Sequence, residues 1–114
     1  MPTFEKGAIV RVPFPYTDRS TRQHRPALIV SPGAVDEAAE LLWVVMITSA
    51  ENRPWPGDVP LGAGYRESGL PAPSVIRPCK IATIRARLAE PIGAVSPAVL
   101  RKVDAEVRAL LGFG

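Results

Sequence analysis

The chain of 114 residues has little of what metal sites, disulfides and membrane spans are built from. It contains one cysteine, Cys79, and one histidine, His24, so no internal disulfide can form and no cluster of these residues can hold a metal ion. Its longest apolar run, residues 41–47, is far too short to cross a bilayer. We therefore expect a protein without a metal or other cofactor and without a membrane partner.

The start of the chain also lacks the charged, apolar and small-residue regions of a secretory signal, which predicts a soluble, cytoplasmic protein. The excess of positive charge is small as well, because 14 lysines and arginines against 11 acidic residues leave a net charge of +3. This excess permits nucleic acid as a partner without identifying it. Its distribution is more informative, since basic segments at residues 1–35 and 53–92 flank an acidic one at residues 36–52.

Apolar residues, by contrast, make up 46% of the chain and favour one folded domain over residues 1–114. Residues 16–24 lack any periodicity and read as an exposed loop, and residues 53–73 are dense in glycine and proline. The third predicted strand is too continuously apolar to be buried on one face alone. Strands are predicted at residues 7–15, 25–31, 40–49, 73–85 (with a kink at Pro78) and 87–95.

Only the end of the chain is plainly helical in pattern. Ser96 suits the N-cap, Pro97 the first helical position and Gly112 the stop. Short strands joined by proline and glycine turns and closed by one amphipathic helix predict a mainly β fold. The expected architecture is a small SH3-like barrel of strongly bent antiparallel strands. The apolar stripe of the helix comprises Val99, Leu100, Val103, Val107, Leu110 and Leu111.

Four short motifs occur in a specific order along the chain: "VPFP", "RPALIVS", "ITS" and "KIAT". In this combination the sequence resembles the MazF/PemK family of type II toxin–antitoxin endoribonuclease toxins, from about Gly7 to the terminal helix. The resemblance implies a dimer that cleaves single-stranded RNA at specific sequences without metal and that a cognate antitoxin inhibits. It also implies that the arginine of the "RP" motif and the threonine of the "ITS" motif carry the reaction, which are Arg25 and Thr48 here.

RNA is cleaved without metal when its 2′-hydroxyl attacks the adjacent phosphorus, which leaves a cyclic phosphate and a 5′-hydroxyl. Pro26 holds Arg25 extended, so that its guanidinium can bind two phosphate oxygens and stabilise the charge of the phosphorane. Thr48, or Ser49 beside it, can donate a further hydrogen bond. The residues alone also allow Arg25 to pair with a carboxylate such as Asp36 or Glu37.

The general base is open at this point, because a guanidinium stays protonated at neutral pH and so has no free lone pair with which to accept a proton. Either Arg25 acts as acid and charge stabiliser while water removes the proton, or His24 is the base. A solvated loop residue is the alternative for His24. Neighbouring strand residues point to opposite faces, so His24 and Arg25 can reach one phosphate only if the strand has not yet begun there.

Four further residues are assigned to RNA binding, and surface charge is the alternative for the last of them. They are Arg22, Gln23, Arg77 and Lys80. Cys79 stands where some members of the family have an aspartate, so a mechanism with that carboxylate as base cannot operate in this chain. Cys79 itself is expected to be buried or half-buried.

Unpaired bases would stack on aromatic side chains, for which Tyr16, Trp55 and Tyr65 are candidates in predicted loops. Phe14 and Trp43 lie in strand-like runs and are expected in the core or the dimer contact. The third strand and the terminal helix are the candidate dimer interface. Two other functions remain possible for this fold: a toxin that poisons DNA gyrase by binding alone, and a non-catalytic RNA-binding or peptide-binding module.

Overall fold

The structure is a computed structural model that describes residues 4–15 and 22–113, with only the backbone of residues 15, 22 and 23. Six strands form one antiparallel sheet in the order β4-β5-β3-β2-β1-β6, curled into a half-barrel. The predicted mainly β fold with one terminal helix is confirmed. The strands are β1 Ala8–Pro15, β2 Arg22–Ile29, β3 Leu41–Ser49, β4 Val59–Pro60, β5 Ser74–Arg85 and β6 Glu90–Ala94, with short 3-10 turns at Gly62–Tyr65 and Ala86–Leu88 and the helix α1 at Pro97–Leu110.

The second strand corrects the sequence analysis, because β2 begins at Arg22 and not at Arg25. The last three residues of the predicted loop are therefore strand, paired with the end of β1 from Pro15 opposite Arg22 to Pro13 opposite His24. Pairing to β1 imposes this extended conformation on a polar run that carries no strand pattern of its own. The remainder of the predicted loop, residues 16–21 with Tyr16, lies outside the described residues.

The sheet is buried on both faces, and β3 lies in its middle. Residues 44–48 are all buried, as the continuous apolar run predicts. Two hydrophobic clusters pack against the sheet, and α1 covers one of them, where Val103 is fully buried. Trp43 is the exception in β3, because 46% of its surface is exposed.

The terminal helix follows its sequence signals closely. The Ser96 hydroxyl accepts a hydrogen bond from the N–H of Val99 at 3.2 Å, and Pro97 opens the helix. Gly112 adopts a φ of +86° just after the helix, a conformation that a residue with a side chain rarely takes. The stripe is shorter than predicted, since Leu110 and Leu111 are 59% and 60% exposed. Among the described residues, no helix has both the length and the apolar character to cross a bilayer.

Candidate active site

The end of β3 lies between two places where the sheet loses its regular hydrogen bonding, and each is next to an Arg-Pro dipeptide. On one side, the last β2–β3 pair among the described residues is Ala27 opposite Met46, next to Pro26. On the other side, the β3–β5 register shifts between Val45 and Met46, so that residues 78–80 have no partner in β3. Proline has no N–H to donate to a ladder, which explains both positions and confirms the kink predicted at Pro78. Both breaks flank β3 at the level of Met46.

Extending the β2–β3 register past the first break brings Arg25 level with Thr48. Continuing the β2–β3 register by two residues puts Arg25 directly opposite Thr48. Opposed residues of an antiparallel pair point to the same face of the sheet. Arg25 is partly exposed, whereas Thr48 is only 7% exposed. The pair therefore joins a partly exposed cation to a nearly buried hydroxyl at the end of the sheet.

The Thr48 hydroxyl is held in place by Asn52, a residue that the sequence analysis missed. The side-chain amide Nδ2 of Asn52 donates to Thr48 Oγ1 at 2.6 Å, and the Asn52 N–H donates to the Ser49 carbonyl at 3.1 Å. Because Thr48 Oγ1 accepts this bond, its own O–H remains to donate. The only sequence signal was an asparagine four residues after the threonine, in a turn that favours asparagine.

The side chains of His24 and Ser49 point to the other face of the sheet from those of Arg25 and Thr48. Because β2 has begun by Arg22, His24 and Arg25 point to opposite faces, so the condition under which both would contact one phosphate is not met. The Ser49 hydroxyl accepts from the N–H of Glu51 at 3.2 Å and so stabilises the turn after β3. Ser49 also faces away from Thr48, its neighbour in the strand. Catalytic roles for His24 and Ser49 stay predictions, and these orientations count against them.

The alternative partners of Arg25 lie at the other end of β3. Asp36 Oδ1 accepts from the N–H groups of Glu40 and Leu41, both at 2.9 Å, where β3 begins. Leu41 and Thr48 are separated by seven strand residues, roughly 23 Å at the usual rise per residue. Asp36 and its neighbour Glu37 therefore stabilise or flank the turn before β3, far from the level of Arg25.

Arg77, assigned to RNA contact, is buried instead, with 6% of its surface exposed. Its Nε and Nη2 donate to the two carboxylate oxygens of Asp58 at 3.0 and 2.9 Å, and Nη2 also donates to the carbonyl of Arg53 at 3.0 Å. The guanidinium carbon lies 4.4 Å from the centre of the Trp55 ring. Direct contact with RNA stays a prediction, and this burial counts against it.

The carboxylate of Asp58 is the counter-charge of Arg77 and is itself mostly covered. Burial by itself raises the pKa of Asp58, but the hydrogen bonds from Arg77 and from the N–H of Trp55, with the charge of Arg77, outweigh it. The pKa of Asp58 is therefore lower than its ordinary value of 3.8. Asp58 is therefore ionised at neutral pH.

The two residues after Pro78 differ from each other in surroundings. Lys80 is partly exposed, and its Nζ lies 5.0 Å from the centre of the Trp55 ring. Its contact with RNA stays a prediction. Cys79 is exposed, so the expectation of a buried or half-buried thiol is wrong. The three unpaired residues 78–80 push its side chain out of the sheet.

The remaining predicted RNA contacts, Arg22 and Gln23, begin β2 opposite Pro15 and Phe14 of β1. Their side chains lie outside the described part of the structure, so their assignment stays a prediction. Within residues 4–15 and 22–113, no three histidine, cysteine or acidic side chains come together in a way that could hold a metal ion.

Residues 5–111 match the family model described as PemK-like, MazF-like toxin of type II toxin–antitoxin system. Among solved structures, MazF from Deinococcus radiodurans superposes with a TM-score of 0.79 at 25% identity, over 98% of this chain and 99% of that one. MazE–MazF from the same organism gives 0.75 at 25% identity, over the whole of both chains. An endoribonuclease from a mycobacterial species in complex with its cognate antitoxin gives 0.72 at 22% identity, over 100% and 98% of the two chains. No curated protein matches the chain in sequence.

Proposed function

The chain belongs to the PemK-like and MazF-like family of type II toxin–antitoxin toxins, and from this membership we propose that it is a metal-independent, sequence-specific endoribonuclease acting on single-stranded RNA in the cytoplasm. The observation that supports the proposal is the β2–β3 register, which brings Arg25 level with Thr48 when it is extended by two residues, together with the hydrogen bond from Asn52 to Thr48 Oγ1. A protein that acts by binding alone has no need of a cation and an oriented hydroxyl at the same level of two strands.

In the proposed reaction the 2′-oxygen forms a bond to phosphorus while the bond from phosphorus to the 5′-oxygen breaks. Arg25 donates two N–H bonds to non-bridging oxygens, which gain negative charge in the transition state. Thr48 donates its O–H to the same phosphate, because its oxygen already accepts from Asn52. The guanidinium then protonates the departing 5′-oxygen, an alkoxide more basic than itself, and water takes the proton of the 2′-hydroxyl. The products are a cyclic phosphate and a 5′-hydroxyl.

Two protein partners are part of the proposal. A cognate antitoxin would inhibit the enzyme through an acidic and apolar segment, matched to the arginine-rich chain. A second copy of the chain would cover the exposed apolar surface made by Trp43, Ile81 and Leu111, which are 46%, 47% and 60% exposed. The groove at this surface has no charged side chain in its lining among the described residues, which favours a second apolar surface over an acidic segment.

The ribonuclease assignment is tested by incubating the purified chain with single-stranded RNA in EDTA and identifying the ends of the products by mass spectrometry. We expect cyclic phosphate and 5′-hydroxyl ends, and the loss of both in Arg25→Ala. Binding of RNA without cleavage would support a non-catalytic module, and inhibition of gyrase without RNA cleavage would support the gyrase-binding alternative. Mapping the 5′ ends of cellular RNA after brief expression would then identify the cleavage sequence.

The dimer is tested separately by light scattering at micromolar concentration. We expect the mass of two chains for the wild type and of one chain for Trp43→Glu, because a carboxylate at the centre of an apolar interface is left without a partner. Lys102→Glu, an exposed position on α1, is the control for the added charge. A single-chain mass for the wild type would contradict the dimer while leaving the ribonuclease assignment open.

A further inference from the structure

The turn between β3 and β4, residues 50–58, is tied to the sheet by one buried side chain from β5. Arg77 contacts this turn at two points, the carbonyl of Arg53 and the carboxylate of Asp58. The two points lie on either side of Trp55, whose N–H donates to Asp58 Oδ2 at 3.0 Å. We call residues 50–58 the β3–β4 turn below. Hydrogen bonds to Arg77 and Asp58 therefore hold the conformation of the turn around Trp55.

The same turn carries Asn52, which holds the Thr48 hydroxyl at 2.6 Å. Asn52 is the residue before Arg53, so fixing the carbonyl of Arg53 also limits where the Asn52 side chain can lie. Arg77 is itself fixed by its place in β5 opposite Met46, two residues before Thr48 in β3. A chain of contacts therefore runs from the sheet through Arg77 and the turn back to Thr48.

The turn also brings an aromatic surface to this end of the sheet. Trp55 is 39% exposed, with the cations of Arg77 and Lys80 at 4.4 and 5.0 Å from its ring centre. A concave surface beside it is lined by Asn52, Trp55, Asp58, Pro60 and Val75 among others. An aromatic ring held in this way costs little further entropy when a flat ligand stacks on it.

We propose that Arg77 is a positioning residue that, through Asp58 and the Arg53 carbonyl, holds the β3–β4 turn so that Asn52 orients Thr48 and Trp55 offers a stacking surface to an unpaired base beside the scissile phosphate. This rests on the proposed ribonuclease function. It differs from a direct contact between Arg77 and RNA, because the guanidinium that binds Asp58 acts through other residues.

Asp58→Asn separates the two roles. If Arg77 contacts RNA directly, removing the neighbouring negative charge strengthens RNA binding and leaves cleavage intact. If Arg77 positions the turn, the same change weakens the hold on Trp55 and Asn52, and we expect kcat to fall roughly 10²-fold, the size known for a small displacement in an active site. We expect Arg77→Lys to lower kcat as Asp58→Asn does, because an ammonium group cannot form the two parallel hydrogen bonds to the Asp58 carboxylate.

Arg53→Ala is the matched control, because the turn uses the Arg53 carbonyl while its side chain is exposed. It removes a cation close to the proposed RNA path without removing a bond of the network. We expect its kcat to equal that of the wild type, with at most a weaker and less salt-dependent affinity for RNA. A fall in kcat equal to that of Asp58→Asn would overturn the proposal, since charge and not position would then be the common factor.

A readout without RNA keeps this test apart from the ribonuclease assignment. With Trp43→Phe, Trp55 is the one tryptophan left, and quenching of its fluorescence by acrylamide reports its exposure. We expect stronger quenching in Asp58→Asn and Arg77→Met than in Arg53→Ala. Unchanged quenching in Asp58→Asn would overturn the proposal even if Arg77→Met failed to fold. If the wild type cleaved no RNA, the ribonuclease assignment would be wrong, and the quenching measurement would still test whether Arg77 positions Trp55.

Discussion

The two Arg-Pro dipeptides on either side of β3 are locally alike and end in different environments. Arg25-Pro26 and Arg77-Pro78 both sit where a ladder with β3 breaks, at the level of Met46. Arg25 remains partly exposed, whereas Arg77 is buried against Asp58. The difference comes from the strand next to β5. Val59 of β4 pairs with Ile76, and Asp58, the residue before Val59, binds the side chain of Arg77. Proline holds the backbone of an arginine extended, but the neighbouring strand decides how deeply its side chain is buried.

A third dipeptide, Arg53-Pro54, extends the comparison. Its side chain is exposed, and its carbonyl accepts the hydrogen bond from Arg77. The Arg-Pro dipeptide therefore has three different roles: Arg25 is a candidate catalytic cation, the Arg53 carbonyl is a main-chain acceptor and Arg77 is a buried structural cation. Substitutions that remove these side chains should separate activity from stability.

The largest expected effect is on activity, from Arg25→Ala. We expect kcat/KM for RNA cleavage to fall about 10³-fold or more, since two donors to the transition state are lost. The melting temperature should fall less than in Arg77→Met, because Arg25 is partly exposed whereas Arg77 is buried. A continuous assay with a fluorogenic RNA and thermal unfolding of the same samples measure both. Equal loss of stability and activity would mean that Arg25 is structural.

Arg77→Met should differ from Arg25→Ala by its large effect on stability. Removing one partner of a buried ion pair leaves Asp58 without its counter-charge, which costs about 3–5 kcal/mol of the free energy of unfolding. Chemical denaturation monitored by circular dichroism measures this loss. Arg53→Ala, with an exposed side chain, serves as the control and should stay within about 0.5 kcal/mol of the wild type. A stability like that of the wild type in Arg77→Met would remove the contrast between the two dipeptides.

Asn52→Ala should have a smaller effect, on the activity that we assign to Arg25 and Thr48. It removes the bond to Thr48 Oγ1, worth about 1 kcal/mol, so we expect kcat to fall about fivefold with little change in KM. Glu51→Ala, the exposed preceding residue, is the control and should keep the kcat of the wild type. Steady-state kinetics on one RNA substrate distinguish the two, and a raised KM with unchanged kcat in Asn52→Ala would place Asn52 in RNA binding.

The smallest effect is expected on the acid limb of the stability curve. Because the folded state lowers the pKa of Asp58, its ionised form contributes stability above the ordinary value of 3.8, and this is lost as the pH falls through the lower folded value. Asp58→Asn should therefore lose less stability than the wild type between pH 5 and the acid transition, since its amide does not titrate. Unfolding midpoints from pH 3 to 7, compared with Asp36→Asn as the control, measure this. Parallel curves for wild type and Asp58→Asn would contradict it.

Much of the fold was readable because its signals are local. Ser96, Pro97 and Gly112 begin and end the helix through the backbone of their own neighbourhood. Pro78 predicts a kink wherever it lies in a strand. The start of β2 at Arg22 was missed because its extended conformation comes from pairing with Phe14 and its neighbours in β1, a contact between segments.

The candidate site divides in the same way. The residues of the "RP" and "ITS" motifs could be named from the sequence, and the proline after Arg25 predicts its extended backbone. Asn52 and Asp58 could not be named, because their importance lies in the atoms they meet, Thr48 Oγ1 and the Arg77 guanidinium. Cys79 was expected to be buried because a free thiol usually is, and the unpaired bulge in β5 reversed that.

The segments that are apolar enough to form a two-sided core, and the ends of the last helix, could be predicted from the sequence alone. These properties depend on φ restriction, missing donors and hydrophobic spacing, which act within a few residues. Which arginine is buried and which is partly exposed became clear only from the folded structure. That choice depends on strand register, which joins residues 19 positions apart in the case of Arg77 and Asp58, and no local preference encodes such a partner.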